Sequence, residues 1–117
     1  MMDVEGLVKE FADCVVAQRK ALKQADAAEA NKYADKSLAA FDELRKFGDS
    51  GRDALAVLLF DQRPEVRVTT AAFLLRHKHA EAKAVLEREA KGPGIIAFEA
   101  EQALERWKEG VWSLDPA

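Results

Sequence analysis

The chain has one cysteine, two histidines, no excess of positive charge and no long apolar run. Each shortage excludes something. A lone Cys14 cannot close an internal disulfide, which fits a reducing compartment, and it reads as a small core residue beside the apolar face of its helix. A histidine-rich metal centre needs three or four converging ligands. His77 and His79, with Glu81 nearby, offer too few, and the pair reads as capping or surface residues; no metal and no cofactor is expected. No stretch of about 18 apolar residues occurs, so no helical membrane span is expected. The start, Met-Met-Asp-Val-Glu-Gly, lacks the basic and apolar regions of a signal peptide. Cytoplasm is therefore the expected location. A net charge of −3 gives no general basic surface for displacing counterions from phosphates. Phosphate-cradling glycine loops, G-x-S-x-G elbows, zinc spacings and the E-x-x-H pairs of di-iron bundles do not occur either. Catalysis is not expected.

What is present is helix. At 117 residues, 49% hydrophobic and 33% charged, the chain suits a single domain over 1–117. Six segments are predicted. The first spans about Asp3 to Gln24, with Asp3 as N-cap and Val4, Leu7, Val8, Phe11, Val15 and Leu22 as its buried stripe. The second spans about Asp26 to Phe47, with Ala30, Ala34, Leu38, Phe41 and Leu44 inward and Gly48 as C-cap. The third covers Asp49 to Phe60, anchored by Leu55, Leu58 and Leu59. A fourth opens at Pro64 and runs to about Arg76, apolar nearly all round. The fifth covers His79 to Lys91, with Ala82, Val85 and Leu86 inward. The sixth opens at Pro93, a favoured first helical residue, and Gly110 ends it after Glu109. Ile96, Ala100, Ala103, Leu104 and Trp107 form its inner stripe, and Glu99, Glu101, Gln102, Glu105 and Arg106 its outer side. The tail, 110–117, is expected to fold back through Trp112 and Leu114.

The last four segments repeat. At an offset of 29, Pro64 falls on Pro93, Val66 on Ile95, Ala71 on Ala100, Leu74 on Ala103 and Leu75 on Leu104. At 28, Ala54, Val57 and Leu58 fall on Ala82, Val85 and Leu86. Residues 49–78 and 79–109 thus look like two copies of one helix–turn–helix unit. About three units are needed to bury such faces, so the longer pair in 1–48 is expected to supply the third layer. The architecture predicted is all-α: about six helices in three antiparallel hairpins, stacked as a short right-handed solenoid.

At Asp61-Gln62-Arg63-Pro64-Glu65-Val66-Arg67, followed by Ala71-Ala72, the chain resembles the HEAT repeat. In that family an acid before the second helix bonds an arginine six positions on and orders the turn; the matching residues are Asp61 and Arg67. In the second copy they are Ala90 and Ile96, so that repeat is degenerate. A longer resemblance, carried by Asn31-Lys32-Tyr33, Asp42-Glu43-Leu44-Arg45, Arg52 with Ala54-Leu55, and the Pro64 segment, is to an uncharacterised bacterial family. It is a domain of unknown function with a HEAT-like helical fold. Members have been suggested to be immunity proteins, which bind and silence a toxin in the cell that makes it.

Two charged groups are candidates for meeting a partner. Residues 49–78 carry five basic and four acidic side chains, and 79–117 carry five and eight. Arg63, Arg76 and Lys78 offer a side for a protein partner, or, as the alternative, a nucleic-acid face running from Arg63 to Lys78. Glu99, Glu101 and Glu105 read as a solvated face or as an acidic patch for a basic partner. Trp112, beyond the last helix, reads as a seal or an interface anchor, while Trp107 reads as core. The function the sequence points to is a protein-binding module, in its most specific version a toxin-neutralising immunity protein. Oligomeric state is not legible in the sequence.

Overall fold

A computed structural model describes residues 3–115. Among them are six α-helices and one short 3₁₀ helix, and no strand. The helices are α1 (Val4–Lys23), α2 (Ala27–Arg45), α3 (Asp49–Leu55), α4 (Pro64–Phe73), α5 (His79–Ala90) and α6 (Gly94–Glu109), with the 3₁₀ helix at Ala56–Phe60. The expected third helix is thus two pieces, α up to Leu55 and 3₁₀ beyond it. At that junction the chain divides into two compact units, Met1–Leu55 and Ala56–Ala117.

In the first unit, α1 and α2 pack on one another, and both touch α3. Their starts follow from capping. The Asp3 carboxylate accepts the Gly6 N–H at 2.7 Å and the Asp26 carboxylate accepts that of Glu29 at 3.0 Å, each satisfying a donor that the first turn leaves without a helical partner. The turn between them closes with Asp26 N–H on the Ala21 carbonyl and Ala25 N–H on that of Leu22. This pattern needs a left-handed residue, and Ala25 takes it at φ 58°. Gly48 supplies the same conformation after α2, at φ 67°. Gly51 meets a harder requirement: a Cβ there would overlap the Leu44 carbonyl oxygen, so α3 lies against the end of α2 with backbone almost touching backbone.

The buried stripes follow the periodicity in part: Val4, Val8 and Ala34 are only half-buried, and two leucines are exposed. Leu7, Phe11, Cys14, Val15 and Ala21 are buried on α1, and Ala30, Ser37, Ala40, Phe41 and Leu44 on α2. Leu22 is 53% exposed and Leu38 42% exposed, against expectation. Leu22 lies in the last turn of α1, where the chain is already reversing and Ala21 takes the inward position. Leu38 lies about 80° round the helix from Ala30, at about 100° per residue, off the arc that Ser37, Phe41 and Leu44 define.

In the second unit, α4 packs against the 3₁₀ helix, α5 and α6, and α5 packs against α6. That accounts for its all-round apolar sequence: Val66, Val68, Thr70, Ala71, Phe73, Leu74 and Leu75 are all buried. Leu58 and Leu59, and Ala82, Val85 and Leu86, are buried as the patterns require. The helix boundary shifts at one of the two prolines. Pro64 is the first residue of α4, whereas Pro93 stands just before α6, which opens on Gly94 at φ 82°. The one-residue difference changes what the repeat superimposes. Val66 is fully buried, but Ile95 is 64% exposed, and it is Ala97, Ala100 and Ala103 that α6 buries. Ile96, Leu104 and Trp107 are half-buried rather than core. No helix among the described residues is long and apolar enough to cross a membrane.

Candidate functional site

The start of α4 is held by charge, and its partners differ in part from those the HEAT resemblance implies. The Asp61 carboxylate accepts the backbone N–H of Arg63 at 2.9 Å and its guanidinium at 2.9 and 3.1 Å. Those hydrogen bonds, reinforced by the nearby charges of Arg63 and Arg67, hold its carboxyl below the ordinary value of 3.8. Arg67 does reach Asp61, but at its main-chain oxygen: Nη1 donates to the carbonyls of Asp61 and Gln62 at 2.9 and 3.0 Å. Its Nη2 donates to both oxygens of Glu89, 3.1 Å each. One arginine therefore orders the turn before α4 and ties α4 to the last turn of α5. That Arg67 reaches Asp61 is legible in sequence; its second partner, 22 residues away, is not.

The far end of α4 is closed by the tail. A helix leaves its last four carbonyls without internal partners, and here one side chain meets such a carbonyl and another a carbonyl of the turn that follows. The Trp112 indole N–H donates to the Ala72 carbonyl at 2.7 Å, and His79 Nδ1–H donates to that of Leu75 at 3.2 Å. These contacts stand where the predicted helix would have continued to Arg76. Trp107 sits between the two rings, 5.2 Å from each, edge-on to Trp112 at 72°. Trp107, Gly110 and Trp112 line an open cleft of about 260 Å³. Beyond it, Arg76 Nε donates to the Asp115 carbonyl at 2.9 Å and Nη2 pairs with the Asp115 carboxylate at 3.2 Å, a carboxylate wholly removed from solvent. Trp112 is thus pinned within its own unit by its indole N–H.

The candidate residues separate accordingly. Arg63, Arg67 and Arg76 are engaged by Asp61, Glu89 and Asp115, and Lys78 has interactions of its own. Cys14 is buried, its thiol donating to a Glu10 carboxylate oxygen at 3.5 Å, and burial followed by that acidic neighbour pushes it up to about 11. No group of three or more His, Cys, Asp or Glu side chains among the described residues could hold a metal ion.

The outer side of α6 is different. Glu101 and Glu105 are exposed and Glu99 partly so. Beside them lie Ile95, 64% exposed, and Phe98, 54% exposed. The repeat offset places Ile95 on a buried valine, and Phe98 is assigned to neither face of its helix. The signal was available: on a helical wheel both fall opposite Ala100.

A family model, the domain of unknown function DUF2019, matches residues 5–106. No curated protein and no solved structure gives a significant match.

Proposed function

The chain belongs to the DUF2019 family, and from that premise we propose that it is a non-enzymatic protein-interaction module. In the most specific form of this reading it is an immunity protein that binds a bacterial toxin in the cytoplasm and covers its active site. The helices would stack as three hairpins of a short HEAT-like solenoid, whose rigidity lets a preformed face dock without an ordering cost. One observation carries the reading: α6 buries alanines and holds an isoleucine and a phenylalanine out in water beside a row of carboxylates. That inversion of the usual pattern suits a surface that is covered in a complex.

The alternative, nucleic-acid binding along Arg63 to Lys78, is weakened by the ion pairs that engage Arg63, Arg67 and Arg76 within the fold. Titration with duplex DNA at two salt concentrations separates the two. Strong, steeply salt-dependent binding would revive the nucleic-acid reading.

The immunity version is tested by co-expression with the product of the adjacent gene. Growth rescue and a stoichiometric complex are expected where that gene encodes a toxin. A toxic neighbour that this chain neither binds nor neutralises would sink it.

A further inference from the structure

We propose that the outward stripe of α6, Ile95, Phe98, Glu101 and Glu105, docks a basic amphipathic segment of a partner protein, apolar at one end and bearing Lys or Arg beyond it. The inference rests on the protein-binding reading and names its surface and the chemistry of its occupant. Ile95 and Phe98 are neighbours at i and i+3, and Phe98, Glu101 and Glu105 continue the row at i, i+3 and i+7. At about 1.5 Å per residue the row is about 15 Å long. Its first half is apolar and its second half acidic.

The charge fixes the occupant. Residues 94–109 carry four acidic side chains and two basic ones, so the complement that gains from approach is basic. The apolar pair selects against a merely cationic ligand, because a polyamine or a disordered lysine run would leave Ile95 and Phe98 uncovered. Another exposed apolar pair of this unit, Val57 and Phe60, is flanked by Asp61 and Arg63, which neutralise one another. That pair expresses no charge preference.

The probe is a synthetic helical peptide with leucines at one end of a face and lysines further along the same face, compared with the same peptide carrying glutamate for lysine. With the full chain, binding of the lysine form is expected to shift amide NMR signals within residues 94–109. Phe98→Ser should weaken it about tenfold or more, as loss of an interface anchor does. The E101K/E105K double variant should weaken it and flatten its salt dependence. Phe98, Glu101 and Glu105 are exposed, and helical circular dichroism confirms that each variant folds. Equal binding of the glutamate peptide, no binding, or shifts confined to other elements would each overturn the proposal. So would a concentration-dependent dimer that Phe98→Ser abolishes, because the occupant would then be a second copy. If the complex with the adjacent gene product forms and these variants leave it intact, the face is wrong and the protein-binding reading stands.

Discussion

The indole N–H of Trp112 donates to the carbonyl of Ala72, 40 residues earlier in the chain, at 2.7 Å. A residue outside any helix thereby completes the end of α4. Trp112→Phe keeps most of the apolar contact and leaves the carbonyl unmet, so a loss of about 1 kcal/mol is expected in urea unfolding. Trp112→Ala should cost about 2–3 kcal/mol, since ring packing against Trp107 goes too. A Trp112→Phe variant as stable as wild type would show that the hydrogen bond contributes nothing, and equal losses in the two variants that the ring packing does not.

Asp115 and Arg76 should behave as a coupled pair. Arg76→Met leaves a carboxylate with no solvent access and no guanidinium, and is expected to cost about 2–3 kcal/mol. Adding Asp115→Asn should recover part of that loss. A double-mutant cycle that came out additive would contradict the pairing.

Arg67 donates two hydrogen bonds to carbonyls and two to Glu89. Both side chains of the pair are largely shielded from water. Arg67→Met is expected to cost about 3 kcal/mol, and Glu89→Gln, which retains an acceptor, about 1–2 kcal/mol. Chemical denaturation of the two variants checks the order.

The acid limb of stability should depend on Asp61. Its folded-state carboxyl is held below 3.8 by the Arg63 hydrogen bonds, so its contribution is fully present above the unfolded value and is lost as pH falls through the folded one. Because Arg63 is half exposed, the effect is modest, below about 1 kcal/mol. Wild type and Asp61→Asn should differ at pH 6 and converge below pH 3.8. A gap that stays constant across that range would mean the carboxylate charge is irrelevant.

Cys14 should be inert in the folded protein. With its thiol pushed up to about 11 and buried, almost none is thiolate at neutral pH, and alkylation by iodoacetamide should run about a hundredfold slower than in urea. Rapid labelling of the native protein would place the side chain at the surface.

Helix number, type and most of the core could be read from the sequence, because periodicity and caps are local. Asp3 before Val4 and the spacing of Leu7, Phe11 and Val15 state where a helix begins and which side it buries. Periodicity does not say what lies opposite. Leu22 and Leu38 satisfy the pattern and stay exposed; Ile95 matches a buried valine in the repeat and is exposed because α6 starts one residue late. The charged candidates fared similarly. Arg63 and Arg76 read as a basic side, yet each is spent on a carboxylate, one two residues away and the other 39 residues along the chain. Composition counts charges and cannot pair them. The acidic residues of α6 were visible; Ile95 beside them was hidden by the very repeat that revealed the helices.

The tail has a genetic consequence. Deleting Val111 to Asp115 would remove five residues, none of them helical. By secondary structure it would count as a minor change. It would nevertheless strip the indole from Ala72 and the carboxylate from Arg76, and its phenotype should be lower abundance of the whole protein.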